Sequence, residues 1–526
     1  SEDVFLPRVG VAMSKYLILV LIFVAMLTGC AVNPVTGKNE LRLVPETTEI
    51  NLGAEQYAPS RQMQGGDYTV DPELTAYVAG VGKRLAAVSD RGLPYEFTVI
   101  NDSTPNAWAL PGGKIAINRG LLVELKSEAE LAAVLGHEIV HAAARHGAKG
   151  MERGMLMQGV VLATQIASAN SEFANLAVGG AAAASQMIGQ KYSRDAEREA
   201  DYYGMKYLYK AGYDTQAAVN LQETFVRLSE GRNQDWLSGL FSSHPPSMER
   251  VLANRESLKE FPPGGDRGDD RYRQKIAGLL KSREAYAAHD QGREALQKKQ
   301  PAQALALAEK ALQVESREGL FHALRGDAQF AQGRYREAEA SYNNALARNG
   351  DYFHFYAKRG LAREKLGQAD AARADLEKSV KLLPTATALN SLGELTLAQG
   401  DRNKAKQYFA AAAGSNSPEG KAAAGALARL DLADNPQKYL KLALKRDASG
   451  YLIAEISNPT GLPVTAIRYQ VQYADAGGNR RQAEFDLPGT LAPGRGARVK
   501  TGIGPLSDRA VQQGVRGAVV RARIVE

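Results

Sequence analysis

The pentapeptide His137-Glu138-Ile139-Val140-His141 constrains this chain more than any other stretch. Histidines four apart lie one turn above each other on a helix, so both imidazoles face one way and can share a metal ion. Glu138, between them in sequence, can reach an attacking water as general base. The surroundings predict the helix. Ser127-Glu128-Ala129-Glu130 reads as a capping box, Ala, Leu, Glu and Val dominate the residues after it, and Gly147 offers a C-terminal stop. A helix can carry this pattern by chance, but the chain has only 7 His in 526 residues. Two of them at metal-ligand spacing around a Glu point to a zinc ion, one per chain.

Two imidazoles leave a catalytic zinc site unfinished, because a third protein ligand and an open position are needed. Glu197, in Ser193-Arg194-Asp195-Ala196-Glu197-Arg198-Glu199-Ala200-Asp201, is the best candidate. Glu197 and Asp201 share one face of a second helix, while Glu199 points nearly the opposite way. One carboxylate can then ligate and the other can orient a ligating imidazole. A solvated charged helix would suit Arg194, Arg198 and Glu199 equally well.

Composition is ordinary for a folded protein, with 44% hydrophobic and 23% charged residues. The net charge of +7 comes without a dense basic stripe interleaved with aromatics, so nucleic-acid binding is not expected. The single cysteine, Cys30, follows a short basic region (Met13-Ser14-Lys15) and an apolar run from Tyr16 to Met26 too short for a confident membrane span. Leu27-Thr28-Gly29-Cys30 resembles a bacterial lipobox, whose Cys is lipidated. The alternatives are an ordinary secretory signal, which would leave the chain soluble in the periplasm, or an N-terminal anchor helix. Ala31 after the Cys favours the outer membrane. Residues 1–12 look like an upstream extension.

Beyond a tether at 31–44, helices are expected near Pro45 and at Asp71-Pro72-Glu73. Tyr95–Ile100 alternates like a half-buried strand. Asn106–Leu110 and Lys114–Asn118 read as strands around a Pro111-Gly112-Gly113 turn. Residues 151–190 are rich in Ala, Gly, Met and Ser but too interrupted for a span, so close-packed helices are expected. Residues 263–274 read as a linker. Gly292, Gly326, Gly360 and Gly393 then recur at 34, 34 and 33 residues, with turn glycines at Gly333, Gly367 and Gly400. That period is the signature of tetratricopeptide repeats over 275–435, which offer a protein- or peptide-binding groove or a rigid spacer. Leu442–Lys445, Tyr451–Ile456, Ala466–Tyr473 and Gly517–Val525 look like strands of a small β-sandwich at 440–526.

Asn106-Ala107-Trp108-Ala109-Leu110-Pro111-Gly112-Gly113, the HExxH pentapeptide and Glu197-x-x-x-Asp201 together resemble metallopeptidase family 48. This family includes HtpX membrane proteases, CAAX prenyl proteases and periplasmic BepA-like enzymes. The repeats make the last group the most similar, while the lipobox and the C-terminal β domain depart from it. The resemblance implies a multidomain chain. Residues 1–30 would be a lipoprotein signal region and 31–262 an α+β zincin (gluzincin) protease domain. An all-α repeat array and a small all-β sandwich-like domain would follow. It implies zinc held by His137, His141 and Glu197, with Asp201 supporting and Glu138 as general base. It also implies that substrate lies along Asn106–Leu110, where a peptide could add to an exposed strand edge.

His244, in Ser242-Ser243-His244-Pro245-Pro246-Ser247, has three readings. Similar His-Pro segments in BepA-like proteins imply a fourth ligand that holds the enzyme latent. The residue could instead donate to a tetrahedral oxyanion, or be incidental to a Pro-rich loop. His146, His289, His322 and His354 carry no ligand spacing and read as surface or core residues. The expected activity is zinc-dependent peptide hydrolysis in the bacterial envelope, in protein quality control at the periplasmic face of the outer membrane. The repeats would recruit protein substrates or partners such as the outer-membrane assembly machinery. A chaperone-like repeat scaffold with a silent metal site is the competing class.

Overall fold

The computed structural model describes residues 30–158, 189, 191–231, 243–475, 477–506 and 514–525. The signal-like segment before Cys30 and most of the 151–190 stretch expected to form packed helices lie outside the described residues. No helix among the described residues is long and apolar enough to cross a membrane. These residues fall into two compact units that divide after Gln368.

The first unit opens with a hairpin of β1 (Cys30–Val32) and β2 (Asn39–Leu41), antiparallel through Ala31 and Glu40. Helix α1 covers Glu46–Met63 and α2 covers Pro72–Ala86, where Asp71 accepts from the Leu74 N–H as N-cap. A three-stranded sheet comes next, built from β3 (Glu96–Ile100), β4 (Ala107–Leu110) and β5 (Lys114–Asn118) in the order β3-β5-β4. The central β5 runs parallel to β3 and antiparallel to β4. Gly112 and Gly113 both take left-handed backbone (φ +78° and +86°) in the β4–β5 turn. A Cβ on Gly112 would stand 2.7 Å from the Ile50 Cα, so α1 can lie directly on that turn only because the residue is glycine. Strand β3 is buried from Phe97 to Ile100 rather than alternating as expected. Phe97 and Val99 join the core against Val78 and Leu85 of α2, while Ile100 packs with Tyr57 of α1 and with Trp108.

The short α3 (Arg119–Leu122) leads to α4 (Glu128–Ala143), the HExxH helix, which is buried at nearly every position. Ser127 Oγ accepts from the Glu130 N–H, but the Glu130 carboxylate accepts from Lys126 N–H, one residue earlier than a capping box requires. The helix also stops before Gly147. Arg145 adopts φ +62° and ends it, and Gly147 lies within α5 (His146–Gln158). Arg145 tolerates this conformation because its guanidinium is tied to Glu152 and the Val44 carbonyl. Helices α6 (Arg194–Lys210), α7 (Gln216–Gly231) and α8 (Met248–Leu258) complete the core. Residues 263–274 are not a free linker. A helix at Asp269–Lys275 buries Tyr272, whose hydroxyl donates to the Leu122 carbonyl at 2.6 Å.

Repeat helices then come in pairs: Arg283–Gln297 with Pro301–Val314, and Gly319–Ala331 with Tyr335–Arg348. Within the second unit, Ala386–Ala398 pairs with Arg402–Ala413. The period has a steric cause. Cβ atoms on Gly326 and Gly393 would meet the rings of Tyr342 and Phe409 at 2.7 and 2.5 Å, and one on Gly292 would meet Leu324 at 2.6 Å, so these repeat positions need a glycine where a neighbouring helix presses a large side chain. Gly333, Gly367 and Gly400 occupy the turns with positive φ, a place taken by Lys299 in the first pair. The second unit ends in β6 (Lys441–Arg446), β7 (Leu452–Ser457), β8 (Val464–Ala474), β9 (Arg480–Leu491), β10 (Gly496–Lys500) and β11 (Arg516–Ile524). They form two antiparallel sheets, β10-β7-β6 and β11-β8-β9. Ala454 and Ile456 of one sheet share a core with Tyr469 and Val471 of the other, which makes the expected sandwich. Strands β9 and β10 are additions to the four expected from the sequence.

Candidate metal centre

Helices α4 and α6 cross where Gly136 faces Gly204. A Cβ on Gly204 would lie 3.2 Å from the His137 backbone nitrogen, so the close approach depends on both glycines. This crossing brings the carboxylates of α6 under the imidazoles of α4. His137, His141, Glu197 and His244 each offer a ligand atom, and these atoms lie within 4.8 Å of one another. The two imidazole Nε2 atoms are 3.0 Å apart. Glu197 Oε1 is 3.3 Å from His141 Nε2 and Oε2 is 3.6 Å from His137 Nε2. His244, carried on the loop before α8, places Nδ1 2.8 Å from Glu197 Oε1 and 3.3 Å from His137 Nε2.

These spacings fit a metal ion. Four donors at tetrahedral corners, with bonds near 2.1 Å, stand about 3.4 Å from each other. The hydrogen bonding agrees. His137 Nδ1 lies 3.0 Å from Asp201 Oδ1, which can only accept, so the proton belongs on Nδ1 and the inward Nε2 is a lone pair. Glu138 Oε2 is buried with no hydrogen-bond partner among the described residues, an acceptor that awaits a donor beside the cluster. His137, His141, Glu197 and His244 are thus the residues that could hold an ion, with Asp201 hydrogen-bonded to the outer nitrogen of His137.

The electrostatics come from burial opposed by charge. Burial pushes Glu138 above the usual carboxylate range and His141 well below the usual imidazole range. Burial also works against Glu197, yet the adjacent His244 and His137 outweigh it and hold that carboxyl well below its ordinary value. Asp201 is likewise held low against burial, chiefly by Arg250. The Arg250 guanidinium grips Asp201 through two hydrogen bonds of 2.8 and 2.7 Å and lies 2.9 Å from Glu197 Oε2. Its Nη1 also donates to the Pro245 carbonyl at 3.2 Å, anchoring the His244 loop.

Asn106–Leu110 lies at the sheet edge beside α4, but Ala107 to Leu110 are all buried, so the edge expected to be exposed is closed. Trp108 Nε1 donates to Gln64 at 2.9 Å. A cavity lined by Val134, Met205, Leu221 and Phe225 adjoins Glu138 and His244. Cys30 sits in β1, paired with Leu41. Sequence reasoning missed three groups. Arg250 is too far along the chain for any spacing rule. His146 has no ligand spacing, yet its ring touches that of His141. Tyr192 stacks on His141 with ring centroids 3.9 Å apart.

Residues 72–257 match peptidase family M48, and residues 289–420 match the tetratricopeptide repeat in three overlapping copies. The chain is 34% identical over 200 residues to a putative beta-barrel assembly-enhancing protease of Vibrio cholerae, covering 37% of this chain and 41% of that one. It is 28% identical over 220 residues to the beta-barrel assembly-enhancing protease of Escherichia coli, covering 39% and 45%. The metalloprotease YcaL of Escherichia coli is 34% identical over 189 residues, 34% of this chain and 70% of that one. The chain thus spans less than half the length of the two assembly-enhancing proteases. The family match runs through the HExxH helix, Glu197, Asp201 and most of α8, and the chain covers 70% of a named metalloprotease at 34% identity: the chain belongs to peptidase family M48.

Proposed function

We propose that the protein is a zinc-dependent endopeptidase of the bacterial envelope, held at the periplasmic face of the outer membrane by a lipid on Cys30. The observation that carries this reading is the convergence of His137, His141 and Glu197 on one point, with the unpartnered Glu138 Oε2 beside it. Bound zinc supplies a Lewis acid that polarises a peptide carbonyl and eases ionisation of water. Glu138 takes a proton from the attacking water and delivers it to the departing amine nitrogen as the C–N bond breaks. The water oxygen ends in the new carboxylate. Burial, by raising the Glu138 pKa, suits it to hold that proton between the two transfers.

His244 in a donor position and the buried β4 support a resting enzyme that restrains itself. A substrate or partner that draws the loop away would open a coordination position, and the apolar cavity beside Glu138 would receive a substrate side chain. The repeats supply the recruiting surface. The names of the Vibrio and Escherichia relatives support clients among outer-membrane β-barrel proteins and their assembly machinery.

The test measures bound zinc and casein digestion by the purified full chain, alongside Glu138→Gln. Wild type should carry about one zinc and cleave, while Glu138→Gln keeps the zinc and loses cleavage. Hydrolysis by the variant would refute the mechanism. A wild-type protein that binds no zinc and cleaves nothing would favour the repeat scaffold instead.

A further inference from the structure

His137 is oriented by a carboxylate, but His141 is not. Its Nδ1 faces another imidazole nitrogen, His146 Nδ1, at 2.8 Å. The far side of that ring, Nε2, lies 3.2 Å from Glu199 Oε2, and the other Glu199 oxygen accepts from Lys38 Nζ at 2.9 Å. We infer that His146, Glu199 and Lys38 form a positioning set that fixes the ring of His141 and aims its Nε2 inward, making the N-terminal hairpin part of the metal centre. This inference rests on the zinc reading above.

Donors and acceptors fix the positions of the ring protons. A carboxylate only accepts, so the His146 proton belongs on Nε2. The Nδ1 of a neutral ring is then an acceptor, and its neighbour at 2.8 Å must supply the hydrogen. With an ion held among the ligands, His141 would carry its proton on Nδ1 and turn the lone pair of Nε2, 3.3 Å from Glu197 Oε1, inward, 3.0 Å from the equally bare Nε2 of His137. Two lone pairs facing each other at that distance repel unless a cation sits between them. A ring free to turn would relieve the repulsion by swinging away, and the chain prevents this at one edge and one face. His146 pins one edge while Tyr192 lies flat against the ring.

The reach of Lys38 gives the set its span. It lies between β1 and β2, and that hairpin is fastened to the end of α4 independently. Asn33 Nδ2 donates to the Ala144 carbonyl at 3.0 Å, and Lys149 pairs with Glu40 at 2.6 Å. Glu199, on the opposite side of α6 from Glu197, thereby gains a role that a solvated charge would lack. None of the three side chains is placed against substrate, so they position rather than catalyse.

The full chain would be compared as wild type, His146→Ala, His146→Gln and Lys38→Ala. Zinc affinity is read by chelator competition, and ligand geometry by the visible spectrum of the cobalt-substituted protein. His146→Ala should weaken zinc binding about 10- to 100-fold and alter the cobalt bands. His146→Gln, whose amide oxygen can accept from His141 Nδ1–H, should recover most of both. Unchanged affinity and spectrum in His146→Ala overturn the inference, as does an equal loss in both His146 variants. If the buried variants fail to fold, Lys38→Ala, altered only at an exposed side chain, decides the matter, since unchanged zinc affinity there removes the hairpin from the centre. A wild-type protein without zinc affinity would count against the proposed function instead.

Discussion

Replacing Arg250 with alanine should destabilise the protease portion more than any other single change near the metal centre. Arg250 is 7% exposed and is the fixed cation between two buried carboxylates, Asp201 and Glu197. It contributes two hydrogen bonds to Asp201, an ion pair to Glu197 and a hydrogen bond to Pro245. Truncating one partner of such a buried network leaves uncompensated charge, at a cost of about 3–5 kcal/mol. For a portion of some 200 residues, where 1 kcal/mol moves the midpoint by about 2–4 °C, that is a fall of roughly 6–20 °C. The loss should be largest in metal-free protein, because a bound dication restores positive charge beside Glu197. The chain's two tryptophans, Trp108 and Trp236, both precede residue 262, so thermal unfolding followed by tryptophan fluorescence reports this portion without contribution from the repeats or sandwich. Arg250→Ala/Asp201→Asn, which removes one orphaned charge, should recover part of the loss. A metal-free Arg250→Ala protein melting within about 2 °C of wild type would refute the reasoning.

The same geometry sets two further outcomes. Gly204→Ala should lower metal-free stability by about 1–3 kcal/mol, because overpacking against the α4 backbone outweighs a helix-propensity gain of up to about 1 kcal/mol. It should also weaken zinc binding, because the new methyl meets the His137 backbone at 3.2 Å and a binding constellation must be held to within about 0.5 Å; titration of both proteins with zinc would expose an unaltered affinity as disproof. The His146 hydrogen bond, then Lys38, holds the Glu199 carboxyl down to about 2 against an ordinary 4.5, with burial opposing. A carboxyl depressed on folding stabilises above its unfolded pKa and loses that contribution as pH falls through its folded one. Metal-free stability should thus drop as pH falls from 4.5 toward 2, and more shallowly in Glu199→Gln; identical pH profiles in denaturant titrations would contradict it.

The HExxH helix was legible because its ligands obey a local rule, four residues and one face. The repeats were legible for a similar reason, since Gly326 and Gly393 each answer an aromatic of their own hairpin. His146 was not legible. Five residues past His141 on a continuous helix it would point elsewhere, and only the left-handed Arg145 turns it back toward the ligand. Arg250 and the Gly136–Gly204 crossing are tertiary facts with no short-range trace. Strand β3 looked half-exposed because the alternation of Tyr95–Ile100 gave no hint that a helix covers each face. The 263–274 segment resembled a tether by composition, yet Tyr272 and Arg271, which donates to Glu128, dock it. Strands β9 and β10 carry so many charged and small residues that their pairing, rather than their hydrophobicity, defines them.

The ligand atoms come from places far apart in the chain, with His137 and His244 separated by 107 positions. An ion gripped by both would act as a removable cross-link closing a long loop, the kind of closure that most restricts an unfolded chain. A disulfide enclosing such a loop is credited with about 4–5 kcal/mol in the chain-entropy model. This chain cannot form one within itself, having a single cysteine. Metal loading would then serve as its maturation checkpoint: a copy that never acquired the ion would be both inert and the easier prey for other proteases.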